Sequence, residues 1–157
     1  VTQTLHQLSH ARQEHYTQIW NRSFRIFLDV LLFGVGPNNF RKKCPEERYG
    51  PVDNIEARCG LHPHNFYLEI AVETGIVGLF IILILLLTWI YRMAKTYKIW
   101  QNMPVHIGLV SCFVISFVPL LPTRSFFNNW RMALLWFIIG WLMASLKAIE
   151  KNKGEIR

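Results

Sequence analysis

Two histidines, an amide, two carboxylates and two glycines stand in one short stretch. It reads Leu61-His62-Pro63-His64-Asn65-Phe66-Tyr67-Leu68-Glu69-Ile70-Ala71-Val72-Glu73-Thr74-Gly75-Ile76-Val77-Gly78. Neutral imidazole is a base near neutral pH and also a metal ligand. Pro63 favours extended or turn backbone at His62, and alternation along an extended segment lets both rings point the same way. A helix starting near Asn65 would present unpaired N–H groups and a positive dipole end, which favour an anion. A histidine beside such a helix suits a lipid-linked phosphate substrate. It could take a proton from a hydroxyl or steady a phosphate leaving group.

Each of these residues also has a plainer role. Histidines at a membrane interface hydrogen-bond water and headgroups. His62 and His64 supply two metal ligands, and no third stands at a telling spacing, so no metal is expected. Asn65 is by default a helix cap. Glu69 and Glu73 could be acids or bases, or could pair with loop arginines. Gly75 and Gly78 most simply permit close helix packing.

The elements that must position this stretch are those of a membrane protein. Of 157 residues, 52% are hydrophobic, concentrated after residue 66, and the mean hydropathy is +0.21. Long apolar blocks mark membrane spans. Net charge is +7 with a pI near 9.6. Because many of the Lys and Arg residues flank apolar blocks, the positive-inside rule accounts for them and no nucleic acid is implied. The expected fold is all-α and integral to the membrane, with three transmembrane helices after an amphipathic loop helix. Residues 1–65 form an outer loop, 66–91 a span, 92–104 a basic inner hairpin and 105–122 a shorter span. Residues 123–129 form an outer turn, 130–147 a span and 148–157 an inner tail. The catalytic stretch therefore sits at a water–membrane boundary.

Within the outer loop, mixed three- and four-residue apolar spacings predict a helix from about 13 to 32, with residues 1–12 weakly ordered. It would lie along a membrane surface or pack on other helices. Gly34-Val35-Gly36-Pro37-Asn38-Asn39-Phe40 ends it. Such a glycine-rich loop can cradle phosphate, but no strand precedes it and the P-loop spacing is missing. Residues 41–60 read as an irregular loop, basic at Arg41, Lys42 and Lys43. Cys44 and Cys59 could close a disulfide there if the loop faces an oxidising compartment. Cys112, inside an apolar block, reads as a small buried hydrophobe. The chain shows no signal peptide and opens as if mid-loop, so it is expected to be a piece of a larger membrane protein.

His64-Asn65, nine residues, then Gly75-Ile76-Val77-Gly78 resembles the signature of the O-antigen ligase and polymerase-like family. Upstream, Phe33-Gly34-Val35-Gly36-Pro37-Asn38-Asn39-Phe40-Arg41 resembles its GxG…F element after a Trp-bearing helix. The resemblance implies the C-terminal part of a GT-C-like polytopic bundle in the bacterial inner membrane, multi-pass, with its site facing the periplasm. It implies a metal-independent, inverting glycosyltransferase with no cofactor. The donor would be a glycan on undecaprenyl pyrophosphate. The acceptor would be lipid A–core in a ligase, or a growing glycan in a polymerase. His64 matches the motif's base or leaving-group stabiliser, with His62 and Asn65 as substrate-binding neighbours. Loop arginines would grip the pyrophosphate, because a guanidinium fork suits phosphate. The family's usual arginine ahead of the Trp has no direct counterpart, since Glu14-His15-Tyr16 stands there, Arg12 lies further back and Arg22 follows Trp20. Arg41 and Arg25 are the candidates. Two other readings stay open: a truncated, non-catalytic membrane fragment, and an HxH metal-dependent hydrolase.

Overall fold

The computed structural model describes residues 2–51, 59–60, 62–118, 125–127 and 129–155. Among them all regular structure is helical. The order is α1 (Thr2–Asp29), α2 (Phe40–Lys43), a 3-10 turn (Glu47–Tyr49), α3 (Phe66–Trp100), α4 (Pro104–Ser116) and α5 (Asn129–Glu155). The chain divides into two compact units. The first is Val1–Leu79 with Pro119–Phe127, and the second is Phe80–Val118 with Asn128–Arg157.

α1 starts earlier than the apolar spacing predicts. No Gly or Pro interrupts residues 2–33, so nothing breaks the helix across its polar first turns. Beyond Asp29 the helical bonding persists, with Val30 N donating to Ile26 O at 3.1 Å and Gly34 N to Val30 O at 2.9 Å. Gly34 stops it in the left-handed conformation, φ 69°, the usual glycine ending. The inner face of α1 packs Ile19 and Ile26 against Phe40, Tyr49, Val72 and the Cys44–Cys59 disulfide.

Arg22 lies in the same packing, only 2% exposed. Its guanidinium donates to the carbonyl oxygens of Cys44, Gly50 and Glu46. One rigid fork thus binds three loop carbonyls at once, of which that of Glu46 also accepts from Tyr49 N at 3.2 Å. The stretch expected to be irregular gains a helical turn at Phe40–Lys43 and the 3-10 turn at Glu47–Tyr49. Residues 52–58 lie outside the described residues.

In the second unit the later turns of α3 pack with α4 and α5. Trp89 meets Phe113 edge-on at 5.9 Å and Trp136 at 6.1 Å. Arg92 donates to Glu150 at 2.9 Å, with Lys95 3.7 Å from the same carboxylate. α3 continues to Trp100, past the expected boundary at 91, because no breaker appears before Pro104. Among the described residues, two helical segments are long and apolar enough to cross a membrane, Phe66–Trp100 and Met132–Lys151. α4 has 13 residues, about 20 Å of helix, less than the ~30 Å hydrocarbon core. The prolines expected to close that span, Pro119 and Pro122, lie outside the described residues. Cys112 is exposed rather than buried, because α4 turns Leu109 and Phe113 inward and leaves Cys112 beside them.

Candidate functional site

The site is built where α1 ends against a break in α3. At Gly75 the backbone leaves the helix, φ 68° and ψ −168°. The amides and carbonyls freed there are satisfied by the end of α1 and the glycine loop. Ile76 N donates to Leu31 O at 2.8 Å and Val77 N to Leu32 O at 3.4 Å. In return Val35 N donates to Val72 O and Gly36 N to Glu73 O, both at 2.9 Å. A side chain at Gly75 would strike the Leu32 carbonyl, and one at Gly34 would strike the Glu73–Thr74 peptide. Both positions need positive φ and close backbone approach, so both need glycine. Gly75 therefore serves a helix break rather than helix packing. Gly78 has a simpler reason, since a Cβ there would meet the Thr74 side chain.

One turn of chain ahead of α3 lies the histidine pair. The His62 and His64 rings are 4.3 Å apart, and the edge of Tyr16 meets His64 at 5.8 Å. Trp20 Nε1 donates to Pro63 O at 2.9 Å, pinning the residue between them. His64 has φ 56°, a left-handed conformation that costs a non-glycine residue about 1 kcal/mol or more. Asn65 is 8% exposed, and its Oδ1 accepts from Tyr67 N at 3.0 Å and Leu68 N at 3.1 Å. It is an N-cap, so two of the helix-end donors expected to face an anion are already occupied. Tyr16, one turn before Trp20 on α1, is the part of the cradle that motif matching passes over. The aromatic i,i+4 spacing of the two within a polar segment was the available signal.

Among the described residues, neither carboxylate forms an ion pair with a loop arginine. Glu73 accepts from Asn38 N at 2.5 Å and Phe40 N at 3.3 Å. The glycine loop's amides thus bind this side chain rather than standing open as a phosphate cradle. Glu69 accepts from Ser125 Oγ at 2.5 Å and Phe126 N at 2.7 Å, and Phe126 meets Phe66 edge-on at 5.2 Å. Both are buried acids satisfied by N–H and O–H donors, the usual requirement for a buried polar group. Neither Ser125 nor Phe126 was legible as part of this stretch, because 56 residues separate Ser125 from Glu69.

The structure separates the two candidate arginines. Arg25 is exposed and lies beside Gly50. Nine residues along α1 from Tyr16, it falls about 180° around the helix, on the face turned away from His64. Arg41 is exposed on α2, within electrostatic reach of Glu73. Eight residues separate Glu73 from Asn65, about 12 Å along α3. His62, His64 and Asn65 are therefore brought together, Arg41 stands near the same helix, and Arg25 does not join them. Arg12 carries no described side chain. As metal ligands, His62 and His64 are joined by no third His, Cys, Asp or Glu among the described residues.

No curated protein and no solved structure matches the chain. Residues 6–83 match the family model described as O-antigen ligase. That stretch contains α1, the disulfide loop, the histidine pair and the Gly75 break, and over it the chain belongs to the O-antigen ligase family.

Proposed function

We propose that this chain carries the base of a membrane glycan ligase that takes its glycan from undecaprenyl pyrophosphate. Family membership ties it to O-antigen glycan transfer in general, at a membrane. The further assignment rests on one observation. His64 is held in a strained backbone conformation between Tyr16 and His62, immediately before the capped start of the membrane helix. Strain of this kind persists where surrounding contacts over-determine it, and it clusters at functional positions.

In the proposed reaction a sugar hydroxyl of the acceptor, lipid A–core, attacks the anomeric carbon of the donor glycan. The new C–O bond forms as the bond to pyrophosphate breaks, with inversion and without a metal. His64 takes the hydroxyl proton or steadies the departing phosphate, and His62 and Asn65 support it. Arg41 is the better placed of the two arginines to meet the pyrophosphate. The disulfide supports a periplasmic setting for the loop, since such bonds persist in oxidising compartments.

The test is His64→Ala in the full-length protein, with surface glycan read on a gel and membrane insertion read by fractionation. Loss of transfer by about 10²-fold or more with normal insertion is expected. Normal transfer in that variant would sink the assignment. Deleting the gene separates ligase from polymerase. A ligase loses all long glycan from the lipid anchor, whereas a polymerase leaves a single repeat unit.

A further inference from the structure

We infer that the last two turns of α1 are seated in lipid, in the leaflet beside the start of α3. α1 has an unusual distribution of apolar residues. Its inner face carries Ile19, Arg22, Ser23 and Ile26, all buried. A helix covering a soluble core presents polar residues on the opposite face. Here that opposite face carries Phe24, Leu28, Leu31 and Leu32, within an arc of about 100°. All four are exposed, from 41% for Leu31 to 60% for Leu32, and Phe33 just beyond is 74% exposed.

The charges of these turns lie off that arc. Asp29 is held by Arg48 and Tyr49, and Arg25 lies at Gly50. The outward arc is therefore apolar and uncharged, and a patch of this kind on a membrane protein marks a surface that leaves water.

The occupant follows from what the patch is joined to. Leu31 and Leu32 accept backbone hydrogen bonds from Ile76 and Val77. Those are the first residues after the Gly75 break on a helix apolar enough to cross a membrane, and both are exposed. The ridge of α1 is thus fixed by main-chain bonds to the level where α3 becomes apolar. It continues the surface that α3 offers to acyl chains. Lipid satisfies both with one medium. This inference does not depend on the reaction proposed above.

A fluorophore reads this directly. Leu32→Cys in a Cys112→Ser background leaves one free thiol within residues 1–157, since Cys44 and Cys59 are bonded, and any free cysteine elsewhere in the full-length protein is changed to serine. The full-length protein is labelled with an environment-sensitive dye and reconstituted in phosphatidylethanolamine–phosphatidylglycerol vesicles. Blue-shifted emission is expected, quenched about two-fold by a shallow nitroxide lipid. The same dye at Lys42→Cys should emit as in water and respond to aqueous iodide. Blue-shifted emission at position 32 that ignores the lipid quencher would mean that protein covers the ridge. Water-like emission would mean that nothing does. Either result overturns the inference. If Leu32→Cys fails to insert, Leu28→Cys carries the same reading.

Discussion

His64 does not act alone in this structure, and its neighbours can be tested one atom at a time. Trp20 holds Pro63 through a single N–H donation. Trp20→Phe keeps an aromatic ring and removes that donor, worth roughly 1 kcal/mol. Transfer should then fall about five-fold in kcat with little change in KM, because the bond positions the base rather than binding substrate. If Trp20→Phe lowers transfer by the same factor in the His64→Ala background as in the wild type, that would argue against that route. Arg22 is the other residue with a sharp prediction. Its fork satisfies three carbonyl oxygens from a buried position. Arg22→Met fills similar space but takes the guanidinium donors away from the Cys44, Glu46 and Gly50 carbonyls. Stability in detergent should drop by about 3 kcal/mol. Arg22→Lys should recover only part, since an ammonium cannot present the same planar fork. A drop below about 1 kcal/mol would mean that water replaces the fork.

At the scale of elements, the junction of α1 with α3 is set by two glycines facing each other's backbones. Gly75→Ala must place a Cβ against the Leu32 carbonyl at φ 68°, and should destabilise by roughly 2 kcal/mol or more. Gly34→Ala should do the same, and the pair should be far from additive because one contact surface is lost. Melting in detergent measures both. A second tether joins α1 to the 3-10 turn, where Asp29 accepts from Arg48 at 2.8 Å and from the Tyr49 hydroxyl at 2.7 Å. The Tyr49 hydrogen bond, with Arg48 behind it, holds the Asp29 carboxyl below its ordinary range. Burial and the same bond push the Tyr49 phenol up. The Asp29 contribution is therefore complete above the unfolded pKa of about 3.9 and is lost as pH falls through the lower folded value. The Tyr49 contribution is complete below about pH 10 and is lost as pH rises through its raised value. Asp29→Asn should flatten the acid limb of a melting curve against pH, and an unchanged acid limb would discount the tether. Little of this was legible beforehand. The apolar runs and the His64-Asn65 spacing to Gly75 carry local information, so the helices and the family signature could be read. The partners of Glu69, Glu73 and Arg22 are remote in sequence and, the Ser125 hydroxyl apart, are backbone groups. No residue type announces a carbonyl or an amide, so the sequence left the carboxylates open between acid–base work and pairing with loop arginines.

For the whole molecule, the proposed orientation in the membrane is what remains to be tested, and the cysteines offer the test. Cys44 and Cys59 are bonded across 15 residues, and the model-dependent loop-entropy stabilisation for such a loop is about 3 kcal/mol. The bond also fixes the Cys44 carbonyl that Arg22 binds, so breaking it loosens the packing under α1 as well. A structural disulfide persists only outside the reducing cytosol. The basic ends of the second unit, with Arg92 and Lys95 on Glu150, follow the positive-inside rule if the loop faces outward. Both arguments favour the proposed orientation, from unrelated chemistry. In intact cells a thiol-blocking maleimide should leave Cys44 and Cys59 unmodified until a reductant is added. Cys112, exposed on an apolar helix, should react only once detergent replaces lipid. Cys44→Ser should leave Cys59 reactive to an impermeant maleimide added outside, and should lower the melting temperature in step with the lost bond. Labelling of Cys59 only after the inner membrane is opened would place the loop, and His64 with it, on the cytosolic side. A lipid-linked glycan presented on the outer face could then not reach the base.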